Sequence, residues 1–446
     1  MKNTIFLYKR HKIIYTDPVS GDFNNIRILS MSFIAIIFFI TPWINYKARQ
    51  AIIFDISFIR FYFFKFVFWA QDFVFFAILG IILILLLFTV TVYVGRIWCG
   101  FLCPQSIWIR LSNFITRLIE GNRNARVKLD AKKQAHFLYK KIIKHILFLF
   151  LSFVTAITFI GYFVPILYIC NNILSLNLWS FFWISFFTLL VYFNIYWFKE
   201  QFCFLVCPYA RLQSVMFDEN TLTVAYNAQR GEKRGHRKKN DDYNSLGLGD
   251  CIDCKKCVTC CPTGIDIRDG LQIECISCGA CIDACNSVMK KMGYEKNLIS
   301  FSRENINKKT VNIRFITYFI ALVCLSIVFF YYLFTRELIQ FNITRSQMQL
   351  YHLTSNNLIE NFYNFKIINK TLELNKYKIS LCTDNFTYTG LDFIILHGEE
   401  TLLLDVKVST HINNLTSRFT DLYFKIENVT NKKDVSIKKN KFISSK

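Results

Sequence analysis

Five apolar runs, each about as long as a bilayer's hydrocarbon layer is thick, constrain this chain more than any other feature. They cover 28–46, 73–94, 146–168, 178–198 and 315–334. About 20 residues rising 1.5 Å each cross ~30 Å of hydrocarbon. Lipid offers no hydrogen bonds to a backbone, so runs of this length are expected as helices. Charged residues make up only 19% of the chain against about a quarter in a soluble domain, and aromatic residues reach 17%. That balance excludes a disordered tail protein and an ordinary soluble enzyme. The first run follows Lys9, Arg10, Lys12 and Arg27 with no small-residue cleavage site after it, which reads as an anchor rather than a removed signal. The stretch 52–69 is apolar too, but Asp55, Arg60 and Lys65 interrupt it. Each charge at a helix centre costs about 2.5–3.5 kcal/mol on insertion scales, so an interfacial segment is expected there rather than a sixth span.

The formal charge is +22, from 53 Lys+Arg against 31 Asp+Glu. The cations track the loops between spans, which points to membrane sidedness rather than to nucleic acid. Arg110, Arg117, Arg123, Arg126, Lys128, Lys132, Lys133, Lys140, Lys141 and Lys144 crowd one loop, and Lys233, Arg234, Arg237, Lys238 and Lys239 another, whereas 169–177 has none. The N-terminus (1–27), the loop after the second run and the segment after the fourth are therefore expected in the cytoplasm, with everything after the fifth run outside. The expected layout is a four-helix membrane region over 28–210, a cytoplasmic region over 211–312, a fifth helix over 313–335 and an outer domain over 338–446.

Sixteen cysteines need explanation, and most fall in short clusters. Cys251, Cys254, Cys257 and Cys261 with Pro262 form C-x2-C-x2-C-x3-C-P, and Cys275, Cys278, Cys281 and Cys285 repeat the spacing without the proline. This is the two-cluster bacterial ferredoxin pattern, in which the fourth cysteine of each run serves the other cluster. It assigns Cys251, Cys254, Cys257 and Cys285 to one [4Fe–4S] cluster, and Cys275, Cys278, Cys281 and Cys261 to a second, in a ferredoxin-like domain over about 245–295. Paired zinc sites rarely repeat this spacing twice, and disulfides are disfavoured in a cytoplasmic loop. Cys260 is expected to be a small core residue. Gly247 and Gly249 are expected in a flexible linker ahead of the first run.

A second repeat follows two of the spans. Trp98-Cys99-Gly100-Phe101-Leu102-Cys103-Pro104 comes after the second, and Phe202-Cys203-Phe204-Leu205-Val206-Cys207-Pro208 after the fourth. Residues i and i+4 share a helix face, so each pair can present two sulfurs together, with the proline ending or redirecting the helix. Soft thiolates suit Cu(I), zinc or iron; the bland alternative is a pair of buried structural cysteines at each helix end. Cys324 reads as a packing residue inside the fifth span, Cys170 and Cys382 as unpaired thiols, and His145 as a solvated interfacial histidine.

These motifs resemble a known family. WCGFLCPQSIW over 98–108, GYFVPI over 161–166, CPYARLQSVMFDENTLTVAYNAQRGEKRG over 207–235 and the two cluster runs are similar to the accessory proteins of the cbb3-type cytochrome c oxidase, known as CcoG, FixG or RdxA. Asn227 and Lys233 depart from the family's usual Asp and Pro, and Cys260 is extra. The resemblance implies a multi-pass protein of the bacterial cytoplasmic membrane with two [4Fe–4S] clusters. It implies help in maturing a copper-containing oxidase by reducing Cu(II) to Cu(I) on the cytoplasmic side, with Cys99, Cys103, Cys203 and Cys207 as the catalytic copper site. It also implies a C-terminal immunoglobulin-like β-sandwich, which the strand-like runs 365–369, 401–408 and 422–426 independently favour. The lysines at 432, 433, 438, 439, 441 and 446 are expected in a solvated tail. Expected partners are membrane lipid, the oxidase or its assembly factors, an electron donor of unspecified identity and a second copy in a homodimer. Electron exchange with quinone and a non-catalytic assembly scaffold are the alternatives.

Overall fold

The computed structural model describes residues 14–47, 49–131, 135–172, 178–239, 247–303, 313–346, 350–354, 357–415, 417–430 and 434–444. It forms two compact units, one of Met1–Ile44 with Leu79–Ser326 and one of Asn45–Ile78 with Ile327–Lys446. The 45–78 segment thus groups with the C-terminal part of the chain, which its position in the sequence does not suggest.

Among the described residues, five helical segments are long and apolar enough to cross a membrane: Asp22–Trp43, Ala70–Val94, Leu138–Ile160, Leu178–Phe198 and Ile313–Phe334. They expose Leu29, Phe150, Leu178 and Ile327, as expected of surfaces solvated by lipid. Cys324 is exposed as well, so it faces outward rather than packing between helices as its position suggested. The third span sits earlier than the apolar run. Its helix begins at Ala135 and stops at Ile160, where Gly161 turns the chain and Pro165 caps a separate short helix, Ile166–Asn171. The early start is tolerated because Lys141 reaches Glu120 and Asp130 at 3.1 and 2.9 Å and Lys144 reaches Glu120 at 2.5 Å. His145 pairs through Nδ1 with the Tyr192 hydroxyl at 2.8 Å, and its ring packs edge-on against Tyr196. It is thus held by tyrosines rather than simply solvated. His136 lies outside the described side chains.

The second unit is a two-sheet sandwich. One sheet runs Thr387–Thr389, Thr401–His411, Leu358–Asn369, Ile339–Arg345, and the other Phe393–Leu396, Asn375–Leu381, Phe419–Asn428, Val435–Ile443. Burial alternates along Leu358–Asn369, which puts Ile359, Phe365 and Ile367 inside. Phe365 packs edge-on against Phe341 and Phe424, with ring centres 5.1 and 5.0 Å apart, and these rings are fully buried. Phe424→Ala is expected to cost about 3–5 kcal/mol, seen as loss of a protease-resistant sandwich in the full chain. Unchanged resistance would place the core elsewhere. The expected solvated tail is in fact the edge strand Val435–Ile443: Lys438, Lys439 and Lys441 point outward while Phe442 fills the core. Lysines on an edge oppose pairing with a second chain. Lys432, Lys433 and Lys446 lie outside the described residues.

The ambiguous stretch is a small antiparallel sheet of Ile52–Asp55, Arg60–Phe63 and Phe66–Phe68. Two of the charges that argued against spanning, Asp55 and Arg60, have definite partners, while Lys65 is exposed. Asp55 accepts from the Ser57 and Phe58 amides, Arg60 lies 4.0 Å over the Trp69 ring and pairs with Glu399, and Glu399 also takes Arg49 and the Tyr62 hydroxyl. Asp72 bridges Arg336 at 3.0 Å and Lys370 at 3.1 Å.

Candidate metal centres

The two cysteine runs fold as matched loops. Left-handed backbone occurs at Asp253 and Lys255 in the first, and at the equivalent Ser277 and Gly279 in the second. Such residues curl a loop so that its amides point inward, a nest suited to an anionic group. Each loop then enters a helix, Lys256–Thr259 or Ala280–Met292. The strands Thr223–Tyr226 and Ile299–Ser302 pair beside them and help close a core of Val224, Ile267, Ile282 and Ile299.

Two matched cavities result. Cys251, Cys254, Cys257 and Cys285 line one. Cys261, Cys275, Cys278 and Cys281 line the other, with Cys257 on the shared wall. Three cysteines of one loop thus meet the last cysteine of the other run in each cavity. Among the described residues, no three His, Cys, Asp or Glu side chains gather closely enough for a single metal ion. Four thiolates spread around a cavity suit a cubane, whose ligands bind four separate irons. The donor sets fit two [4Fe–4S] clusters. Cys260 lines neither cavity; it is buried, and its thiol donates to the Cys257 carbonyl at 3.4 Å. Gly249 is no free linker: an added Cβ would come within 2.5 Å of the Gly231–Glu232 backbone.

Arg268 braces the first loop. Its guanidinium donates to both Asp266 oxygens at 2.8 and 2.6 Å and to Asp253 at 2.6 Å. Hydrogen bonding from Arg268 holds the Asp266 carboxyl below its usual range. With a lowered folded pKa, that stabilisation is complete above the ordinary aspartate value of about 3.9 and is lost as pH falls through the lowered one. Arg268→Ala is expected to release the Asp253 turn and cost the iron of the Cys251 cavity, halving iron per chain. Full iron content in the variant would refute the brace.

The C-x3-C-P repeats share one geometry. A short helix carries the first cysteine (Ile97–Phe101, Gln201–Leu205); Cys103 and Cys207, in extended backbone, then cap helices that begin at Pro104 and Pro208. In each motif the second cysteine's amide bonds to the carbonyl five residues earlier, Cys103 to Trp98 at 2.9 Å and Cys207 to Phe202 at 3.0 Å. The proline thus starts a helix instead of merely ending one, as its fixed φ and missing amide suit a first helical position. Burial, then the neighbouring Cys103, Cys203 and Cys207, pushes the Cys99 thiol up to about 12. Burial, then Cys103 and Cys207, does the same for Cys203. The four sulfurs share one electrostatic neighbourhood, drawn from two separate helix ends. The Cys99 thiol also donates to Gln213 Oε1 at 3.5 Å, on a fully buried side chain.

This neighbourhood abuts the second cluster loop. A Cβ on Gly100 would lie 2.7 Å from the Ile276 carbonyl oxygen and 3.0 Å from Cys278 Cα. Arg96, 2% exposed, donates to the carbonyls of Ala210 and Ile273 and so ties the first motif to the helix after the second motif and to the second cluster loop. Arg27 donates to the Gly100 carbonyl and Ser30 to that of Phe101, while Asp283 accepts from the Phe23 and Asn24 amides. Sequence reasoning missed Arg96, Gly100, Gln213 and Asp283. An arginine just past an apolar run reads as an ordinary interfacial cation, and nothing local shows which carbonyls it will meet.

A membrane protein with a two-cluster ferredoxin-like domain and a C-terminal immunoglobulin-like sandwich is an iron–sulfur electron-transfer protein by class. Three family models match: a 4Fe-4S dicluster domain over residues 198–304, the immunoglobulin-like fold at the C-terminus of FixG over 329–445, and a 4Fe-4S binding domain over 76–120. The chain is 38% identical over 304 residues to the nitrogen fixation protein FixG of Rhizobium meliloti, covering 66% of this chain and 58% of that one. It is 36% identical to protein RdxA of Cereibacter sphaeroides, covering 66% and 63%, and 34% identical over 406 residues to RdxB of the same organism, covering 85% and 84%. The chain belongs to the FixG/RdxA/RdxB family. The matched stretch spans about three fifths of the length of FixG and RdxA. A crystal structure of a FixG-related protein from Vibrio parahaemolyticus matches 25% of this chain and 99% of its own at 22% identity and TM-score 0.23.

Proposed function

We propose that this protein reduces Cu(II) to Cu(I) at Cys99, Cys103, Cys203 and Cys207, in support of assembling a cbb3-type cytochrome c oxidase. The carrying observation is the contact of Gly100, between Cys99 and Cys103, with the Ile276–Cys278 backbone of the second cluster loop. In this reading Cys251, Cys254, Cys257 and Cys285 hold one cluster and Cys261, Cys275, Cys278 and Cys281 the other, and the clusters supply electrons singly. Copper is the substrate; each ion takes up one electron. The chain's part is to hold four half-buried thiols that favour the soft Cu(I) state over Cu(II) and to keep them against the cluster loop through Arg96. The distribution of Lys and Arg supports placing the ferredoxin-like domain on the cytoplasmic side of a bacterial inner membrane and the sandwich outside. Oxidase assembly factors and a second copy of the chain are proposed partners.

The test is anaerobic. Reduced protein, freed of reductant, receives one equivalent of Cu(II) while Cu(I) and cluster absorbance are followed. Cu(I) is expected to appear as cluster absorbance recovers, and a variant with all four cysteines changed to Ser is expected to fail with its other iron intact. Equal Cu(I) in the variant would remove copper from these thiols. A second reading has a specific observation behind it. The 4Fe-4S binding match over 76–120 contains Cys99 and Cys103 as its cysteines, which favours a further cluster at the C-x3-C-P thiols. Iron per chain separates the two, about eight against about twelve at four per cubane.

A further inference from the structure

The two cluster cavities differ in what surrounds them. The Cys261/Cys275/Cys278/Cys281 cavity has no fully exposed cysteine, and its Ile276–Cys278 segment packs under Gly100. The other cavity opens at Cys254, the one exposed cysteine of the eight in the two cavities. Exposed Lys255 and Lys256 adjoin Cys254 and line the same cavity. Lys290 and Lys291, both exposed, follow the Val288 and Met289 that form its wall. Exposed Lys233 is held beside Cys251, since Gly249 donates to the Lys233 carbonyl and Gly235 to the Cys251 carbonyl. Three of the nearby acids are already engaged: Asp250 by Arg230, Glu232 by Arg234, and Asp253 by Arg268 and His236. Exposed Lys233, Lys255, Lys256, Lys290 and Lys291 therefore outweigh the exposed Glu295 on this face.

We infer that the lysine rim around Cys254 docks a small acidic electron-carrier protein, of the flavodoxin or ferredoxin kind, that delivers electrons one at a time to this chain. The inference rests on the electron-transfer reading above and names its donor side. Exposed lysines that hold no fixed geometry suit a transient complex. Weak electron-transfer interfaces are small, below about 1,200 Å², and opposite charge raises their encounter rates by about 10- to 10³-fold. An acidic lipid surface would also meet such lysines. It would not account for their gathering around an exposed thiolate ligand rather than along a membrane-facing helix. In the transfer the carrier loses one electron and the chain gains one, with no bond made or broken.

The test uses the full-length holoprotein in detergent. Binding is read from line broadening of ¹⁵N-labelled oxidised flavodoxin and of an acidic ferredoxin, and transfer from stopped-flow mixing with their reduced forms. Ionic strength is raised from about 0.01 M to about 0.15 M, over which the Debye length falls from ~30 to ~8 Å. Both affinity and second-order rate are expected to drop at least tenfold over that range. At low salt, Lys255→Glu with Lys256→Glu, and separately Lys290→Glu with Lys291→Glu, are expected to lose about tenfold or more, with cluster absorbance unchanged. Lys438→Glu with Lys439→Glu in the sandwich edge strand should behave as wild type. Absence of binding by both carriers, salt-independent rates, or charge-reversed rims that react normally would overturn the proposal. So would lost retention on phosphatidylglycerol vesicles with carrier transfer intact, which would make the rim a lipid contact. Chemical reduction followed by Cu(II) separates this from the acceptor reading. Rim variants reduced by dithionite should still form Cu(I), and carrier-reduced protein that leaves Cu(II) untouched would defeat the copper reading alone.

Discussion

Arg96→Leu is expected to cost this protein about 3–5 kcal/mol, the scale for breaking a buried charged network. The guanidinium is nearly sealed from solvent and reaches carbonyls on two other segments, Ala210 and Ile273. Leucine would fill part of the volume and leave the Ala210 oxygen buried without its donor, at about 1–3 kcal/mol, while the part-buried Ile273 oxygen loses its tie as well. The cost falls on one junction, so more than melting should change. Thermal scanning in detergent should show a lowered transition. Limited proteolysis should cut within 200–275, and iron per chain should fall as the second cluster loop loses its tie. Arg96→Lys keeps a charge but not the forked donors and should recover only part. A leucine variant with unaltered melting, proteolysis and iron would show that the three segments are held by other contacts.

Gly100→Val is expected to separate the C-x3-C-P thiols from the second cluster loop while sparing the first. The position lies in an ordinary helix, so conformational freedom is not why glycine is needed. The obstacle is backbone: an added Cβ falls 2.7 Å from the Ile276 oxygen and 3.0 Å from Cys278 Cα, and no side chain can swing aside to relieve it. Either the loop or the motif has to move, which strains the seating of Cys278. Reduction of the acceptor should slow by on the order of tenfold or more, the factor about 1.4 kcal/mol of added barrier supplies. The EPR signal from one cluster should alter while that from the other persists. Gly100→Ala should show the same pattern more weakly. Wild-type kinetics and spectra in the valine variant would mean this approach has no part in transfer.

Much of this architecture is legible in the residues alone. Spans show because a backbone in hydrocarbon must run as apolar helix for about 20 residues. The strands of the sandwich show in part, since the strand-like runs 365–369, 401–408 and 422–426 fall inside the strands Leu358–Asn369, Thr401–His411 and Phe419–Asn428. Errors gathered where a local pattern has more than one tertiary solution. The third span shifted towards the N-terminus because Glu120 and Asp130 neutralise lysines that looked like loop residues. The lysine-rich end became an edge strand because Phe442 and Ser436 have a core to enter. The 52–69 stretch became a small sheet because Glu399, more than three hundred residues away, receives Arg49 and Arg60.

By itself the sequence determined what chemistry is available: cysteine spacing sets which thiols a tight loop can offer to a cubane, and the apolar runs set how often the chain can cross a bilayer. Those are short-range constraints, written within a few helical turns. Only the tertiary structure decided which of the two cluster loops lies against the C-x3-C-P thiols, which cysteine is left open to solvent, and that Arg96 and Gly100 form the junction. Such choices depend on the meeting of backbone atoms far apart in the chain, Gly100 with Ile276 and Arg96 with Ala210. A carbonyl oxygen, present at every residue, leaves no mark in the sequence to show which side chain will find it.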